Sequence, residues 1–246
     1  KVTSNPTWIL ADLFCGDMNQ QAIGYDQLDA PAFKYWADNY GTEFEYNSVI
    51  DSSATVNQLA DNIAAAGRAS WGIQDGVYRP ILDEKNEQPV QMFTPRNSNS
   101  FSASKEFPEE LHGLKMKFVN ADNGWKEDEA IVYADGYSKD GTNCQFDDGS
   151  GVCKAASKFQ EVQLDGVTSW DQAWKLGRYK LAERELRPEV FTYTADVENL
   201  RCQRGDVVFM ASDVTLWGST WGRIKNVTRN GSNEVTGITL DEPAPM

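Results

Sequence analysis

A single histidine, His112, stands in 246 residues, and neither a Gly-x-Ser-x-Gly elbow nor a His-Glu-x-x-His pair occurs anywhere in the chain. The usual serine-hydrolase and zinc-hydrolase arrangements therefore have one imidazole at most to work with, and His112 in Glu-Leu-His-Gly-Leu reads as the entry to a strand. Cysteine is also scarce: four residues are too few for a disulfide scaffold in a chain this long. The expectation is four unpaired thiols, with Cys144 and Cys153 the one pair placed to close a loop. No run of eighteen apolar residues occurs, and the opening Lys-Val-Thr-Ser-Asn-Pro lacks the apolar stretch of a secretory signal, so the chain reads as soluble with no transmembrane segment. Basic side chains are outnumbered, 23 against 37 acidic, for a net charge of −14. That sign is opposite to the phosphate-neutralising surface of a nucleic-acid binder, and argues against both specific and non-specific binding.

What is present is ample core material. Forty per cent of the residues are hydrophobic and 11% aromatic, more than one ordinary domain requires, so two or three sub-domains are expected. The start, almost directly on a helix, and the stop at Asp241-Glu-Pro-Ala-Pro-Met246 read as cuts in a longer protein. Asn5 caps a helix with Pro6 at its first position, and Trp8, Ile9 and Leu13 share a side. A second helix follows Asp29, with Phe33, Trp36, Ala37 and Tyr40 at helical spacing and Gly41 at its end. Residues 43–50 alternate polar and apolar as a half-buried strand does. Asp51, Ser52 and Ser53 offer caps for a third helix carrying Val56, Leu59, Ala60, Ile63 and Gly67 on one face. Residues 69–82 form a hairpin whose Asp75-Gly76 suits a type I′ turn.

Residues 89–107, rich in Ser, Asn and Pro, read as a connector or an extended strand. Beyond them the pattern becomes β. Leu114, Met116 and Phe118 alternate with lysines, and a partner strand 129–134 follows a turn at Asn123-Gly124. Residues 135–160 read as a long exposed loop. Ser169 and Gln172 form a capping box for a helix near 169–187, whose Trp170, Ala173, Trp174, Gly177 and Leu181 share a face and whose Arg178, Lys180, Arg184 and Arg187 crowd its C-terminal half. Strands at 189–197, 206–211, 222–228 and 234–240 complete the chain. The fold class is α+β. Residues 1–92 are expected to form an α+β amino-terminal unit, and residues 93–246 a mainly antiparallel β barrel or sandwich containing the one long helix.

Several blocks carry a family resemblance. Asn5-Pro-Thr-Trp-Ile-Leu-Ala-Asp-Leu13 resembles the Asn-Pro-x-Trp-x-Leu-x-Asp-Leu segment of tail-tip attachment proteins of tailed phages, the group of the lambda host-specificity protein J and its prophage relatives. Phe33-Lys-Tyr-Trp-Ala-Asp38 with Phe44-Glu-Tyr-Asn47, then Leu59-Ala-Asp-Asn-Ile-Ala64 with Gly67-Arg68 and Trp71-Gly72, resemble the elements that follow it. Phe93-Thr-Pro-Arg-Asn97 resembles the connector. Asn123-Gly-Trp125, Asp171-Gln-Ala-Trp174 with Gly177-Arg178, and Cys202-Gln-Arg-Gly-Asp-Val-Val208 with Trp217-Gly218 and Gly222-Arg-Ile224 resemble the downstream putative-phage-tail-protein region. Seven blocks keep the same order between residues 5 and 228. The resemblance implies a virion protein, assembled in the bacterial host cytoplasm as a homotrimeric baseplate hub about the tail axis. Its neighbours would be tail-tube and other tail-tip proteins, and its barrels would complete the end of the tube. No catalytic residue, cofactor or metal follows from it. Acidic side chains lining such a tube would repel passing DNA.

Other features invite sharper readings. Thirty-seven acids supply carboxylate pairs for a glycosidase, so a polysaccharide-binding or cell-wall-degrading tail module is the alternative function. Trp217 and Trp221 bracket a loop, where their rings would stack on a saccharide, anchor a neighbouring subunit or fold back over a barrel mouth. Asp135 to Asn143 and Asp147-Asp-Gly149 offer oxygen ligands of the kind calcium takes, without EF-hand spacing, and a solvated loop is the simpler reading. Arg204-Gly-Asp206 reads as a turn before an apolar strand, and the sequons at Asn226 and Asn230 as chance.

Overall fold

The computed structural model describes residues 2–50, 54–85, 88–105, 110–211, 224–231 and 234–240. They form an α+β protein whose chain packs as two units, one from residues 1–83 and 106–188, the other from 84–105 and 189–246. The boundary expected after residue 92 is not where the chain divides. The helices of the first ninety residues share one hydrophobic cluster with the sheet and long helix that follow, so 106–188 belong with the amino-terminal elements.

In the first unit, helix α1 (Pro6–Cys15) starts as its sequence dictates. The Asn5 side chain accepts the Thr7 N–H at 2.9 Å, and Pro6 stands where its missing donor costs nothing. Its buried stripe is Pro6, Thr7, Leu10 and Phe14, however, while Trp8 is exposed, because a helix apolar nearly all round does not reveal its inner face by spacing alone. Helix α2 (Ala30–Tyr40) is capped by Asp29 and buries Phe33, Trp36 and Ala37 as the spacing predicts. Helix α3 (Val56–Ala66) is capped by Thr55 in a capping box with Gln58. The caps expected at 51–53 lie outside the described residues, and Val56 faces solvent while Ala60, Ile63 and Ala64 turn inward. Strands β1 (Ala69–Gln74) and β2 (Val77–Leu82) pair across Asp75-Gly76, both with positive φ as a type I′ turn demands. Their Trp71 and Tyr78 stack, and Phe14 of α1 packs against both rings.

The strand expected at 43–50 is not one. Phe44 and Tyr46 are buried on alternate positions as predicted, but the backbone has no ladder partner and is held singly: the Tyr46 N–H donates to Ser4 O, and the Asn47 N–H to Gly166 O. Alternation therefore marked the inward positions without marking a sheet.

In the second unit, β3 (Gln91–Phe93) and β4 (Ser98–Lys105) lie in the stretch read as a connector or an extended strand. The three-stranded sheet belongs to the first unit. Strands β5 (Gly113–Asn120) and β6 (Lys126–Tyr133) pair antiparallel, and β9 (Phe159–Gln163) adds to β5 in parallel. Met116, Phe118, Ala130 and Val132 are buried on the face that helix α4 (Trp170–Leu186) covers, and a Cβ on Gly177 would stand 2.6 Å from a Val132 methyl, so glycine allows the helix to lie close. The capping box foreseen at Ser169 does not form. Ser169 makes no side-chain cap, and Gln172 is buried instead. Its amide donates to Glu45 O at 2.9 Å and Ala66 O at 3.0 Å, and its oxygen accepts the Glu45 N–H at 3.2 Å. Of the face predicted for this helix, Ala173, Gly177 and Leu181 are buried and Trp170 is exposed.

Residues 135–160 are more structured than a solvated loop. They contain β7 (Tyr137–Ser138) and β8 (Lys154–Ala155), paired in parallel, and Cys144 and Cys153 form a disulfide with Cα atoms 5.6 Å apart. This overturns the expectation of four free thiols; only Cys15 and Cys202 are unpaired. The glycine-rich stretch between the two cysteines folds back on itself, which brings them within bridging distance.

The second unit pairs its strands two at a time. β10 (Glu189–Ala195) runs antiparallel to β4 with a bulge near Thr192, β11 (Val208–Met210) runs parallel to β3, and β12 (Ile224–Arg229) pairs antiparallel with β13 (Val235–Leu240). No closed barrel forms among the described residues, and three of their strand pairings, β3 with β11, β5 with β9 and β7 with β8, are parallel. The short strands and turns from which a barrel or sandwich was expected are common to a ribbon and a barrel, because they fix local pairing and not closure. Phe93, packed against Tyr193 at 4.7 Å, and Ala211 are the only buried hydrophobic side chains among this unit's described residues.

Two stability predictions follow from the first unit. Gln172→Ala removes three hydrogen bonds and strands buried backbone groups, so a loss of about 3 kcal/mol is expected in chemical denaturation; a loss under about 1 kcal/mol would show that water replaces the amide. Replacing both Cys144 and Cys153 by Ser opens a short loop and should cost about 2.5 kcal/mol, read as a lower Tm that reducing agent no longer changes.

Candidate functional site

The one site named in advance, Trp217 and Trp221, lies outside the described residues. Arg204-Gly-Asp206 is the turn it was read as: the Gln203 N–H donates to the Asp206 carboxylate, and the Asp206 N–H to Gln203 O. The acidic loop engages its oxygens locally. Asp140 accepts from the Thr142 hydroxyl and N–H, Asp147 from the N–H groups of Gly149 and Gly151, and Asp148 from the Ser150 N–H. Among the described residues no three His, Cys, Asp or Glu side chains come together as a metal would need.

His112 stands immediately before β5. Its Nδ1 accepts the Ser157 N–H at 2.9 Å, and its ring stacks on Tyr137 at 4.2 Å. The acceptor role fixes the neutral ring as the Nε2–H tautomer. Tyr137 in turn donates to Glu110 at 2.6 Å, and both line a cleft of about 350 Å3 in the first unit. Leu111, Asp135, Asp148, Arg178, Leu181 and Glu185 line it as well. Several carboxylates in one cleft is the arrangement a glycosidase would need, with one acid held protonated. The shifts here run the other way. The Tyr137 hydrogen bond, chiefly, holds Glu110 below the usual carboxylate range, and hydrogen bonding from Ser150 lowers Asp148. Tyr137 is raised, first by that same bond to Glu110. Both acids are thus biased to stay charged, and neither is poised to donate a proton at neutral pH.

Arg178 forms one wall. It donates to Tyr133 O at 3.0 Å and pairs with Asp135 at 2.8 Å, while its guanidinium lies 4.1 Å from the centre of the Phe146 ring. Phe146 stacks on Trp174 and sits inside the loop that the disulfide closes. Three bases of the helix cluster are therefore bound within the chain. Arg178 holds Asp135, Arg184 reaches Gln160 at 3.1 Å, and Arg187 pairs with Asp83 at 2.8 Å; Lys180 is exposed. No periodicity announces these partners, since each is distant in sequence.

Asp83 gathers a second cluster. Besides Arg187 it accepts the Tyr179 hydroxyl, and its backbone oxygen accepts from Arg68, whose guanidinium lies over the Tyr179 ring at 4.7 Å. The Arg187 hydrogen bond, first, lowers Asp83, while burial first, and then Asp83, push Tyr179 up to about 12. Asp83 and Pro188 are also the residues at which the chain leaves the first unit on either side of it, so the Asp83–Arg187 pair ties those two exits together.

No family model matches this chain, and no curated protein matches it. Among solved structures, the tail protein from Neisseria meningitidis MC58 is similar over 68% of this chain at 13% identity, with a TM-score of 0.45. This chain spans about half the length of that protein, 48%. No helix among the described residues is long and apolar enough to cross a membrane.

The Asp83 cluster has a pH signature. A lowered Asp contributes stability above its unfolded pKa that is lost as pH falls through the folded value; a raised Tyr contributes stability below its unfolded pKa that is lost as pH rises toward about 12. Asp83→Asn should lower Tm at neutral pH and flatten the acid limb of Tm against pH, and Tyr179→Phe should flatten the alkaline limb. Unchanged limbs in both variants would show that the cluster is energetically idle.

Proposed function

We propose that this chain is a structural, non-catalytic component of a tailed-phage or prophage tail tip or hub, joining the tail tube to the host-recognition apparatus as part of a trimer. The observation that carries the reading is the contrast between its units. The first has a continuous core of helices, sheet and buried amide. The second has two buried hydrophobic side chains among its described residues, with Val190, Val197, Leu200, Phe209, Ile224, Val235 and Ile238 exposed on two-stranded ribbons and turns. Two-stranded sheets lack independent stability, and apolar surface left on them belongs to an assembly. The resemblance of the ordered sequence blocks between residues 5 and 228 to phage tail-tip proteins supports a phage tail as that assembly.

The polysaccharide-degrading alternative draws its support from the cleft, where Glu110 and Asp148 are lowered by hydrogen bonds from Tyr137 and Ser150 instead of being raised for proton donation. Antibody to the chain is expected to label one end of purified tails in immunogold electron microscopy, with no turnover of cell-wall or capsule fragments by the purified chain. Label confined to free protein, or a saccharide turnover abolished by Glu110→Gln, would overturn the reading.

A further inference from the structure

The strands β12 and β13 have the character of a contact surface, and their register says which side of them. Val227 faces Ile238 directly, and Ile224 pairs with residue 240, two along from Ile238 and so on the same side. Between them the register slips, which lets Ile224 rejoin Val227's face although it lies three residues away. At the other end a second slip sets Val235 opposite Arg229, again on Val227's side. The two bulges thus collect Ile224, Val227, Val235 and Ile238 on one face, with Arg229 beside Val235 at its end, and leave Asn226, Thr228, Gly237 and Thr239 on the other. Without the slips, simple alternation would have split the four apolar side chains between faces. All four stand in solvent, at 60%, 36%, 50% and 56% exposure.

Charge indicates the partner. The second unit carries eight basic and ten acidic side chains, whereas the first carries fifteen and twenty-seven. Nearly all of the net charge of −14 therefore sits on the first unit. Copies of this chain each carry their acidity mainly on the first unit, so they meet at lowest electrostatic cost through the second unit. We propose that the Ile224–Val227–Val235–Ile238 face of the β12–β13 ribbon is a contact with a second copy of this chain. The assignment deepens the structural reading above by naming the partner and the surface. A ribbon of six-residue strands is about 20 Å long. It falls short of the roughly 800 Å2 per partner that stable pairs bury, so dissociation of the isolated chain belongs in the micromolar range.

Sedimentation equilibrium of the 246-residue chain tests it. Reversible self-association is expected, weakened about tenfold or more by Ile238→Lys or Val227→Lys and unchanged by Thr239→Lys on the polar face. A wild-type chain monomeric up to about 100 µM, or association indifferent to the apolar-face lysines, overturns the proposal. So does a lower Tm of a monomeric Ile238→Lys variant, because that face would then be covered by the chain's own residues. Absence of label on tails would sink the tail assignment and leave this contact standing, so the two failures are distinguishable.

Discussion

The first unit depends on one buried amide. Gln172 sits in the first turn of the long helix, yet it serves two segments more than a hundred residues earlier in the chain, the stretch carrying Phe44 and Tyr46 and the end of the third helix. Those segments have backbone groups that neither helix nor sheet satisfies, and an unpaired polar group in a core costs as much as a lost hydrogen bond. By meeting both, Gln172 ties the start of the long helix to the amino-terminal segments, whose side chains share one hydrophobic cluster with the β5–β6 sheet. A shorter or apolar residue at this position would leave the same contacts in place with their backbone unsatisfied.

The layers around that amide follow. With the helix fixed at its start, Gly177 lets its middle settle against Val132 and Met116, and its last turns bring Tyr179 and Arg187 to Asp83. The same helix offers Arg178 and Trp174 to Phe146, so the loop closed by Cys144 and Cys153 has a seat on it. One rod organises the core on one side, the cleft on another and the chain exits at its end. Its polar side chains position other protein groups, Arg178 holding Asp135 and Tyr133 O in the wall of the cleft.

Legibility in the sequence tracked the range of the interactions. The caps of α1 and α2, the Asp75-Gly76 hairpin and the β5–β6 pair rest on neighbours within a few residues, and they were readable. Ser169 and Gln172 satisfied the local rule for a capping box, but a long-range demand for a buried amide won. Alternation at 43–50 showed which side chains face inward, yet whether a partner strand lies alongside is a tertiary fact. The parallel addition of β9 to β5, the Cys144–Cys153 bridge and the Arg178–Phe146 contact depend on how a polar loop returns, which no periodicity encodes. The division into units was misplaced for the same reason, since the chain leaves the first unit and comes back to it.

The two units answer the problem of stability differently. In the first, fused aromatic and aliphatic packing is closed by polar pairs, and a heavy acidic surface costs it little because its core is large. In the second, the described strands come in pairs and, Phe93 apart, leave much of their apolar surface exposed, so part of the free energy of burial is left unclaimed among the described residues. Burial of such surface is favourable wherever a partner covers it. A protein whose role is to stand between others gains a great deal, because surface withheld from its own fold becomes the surface that joins it to its neighbours. The near-neutral charge of that unit, against the acidity of the other, would keep the contact proposed for its β12–β13 face free of the repulsion that the rest of the molecule carries.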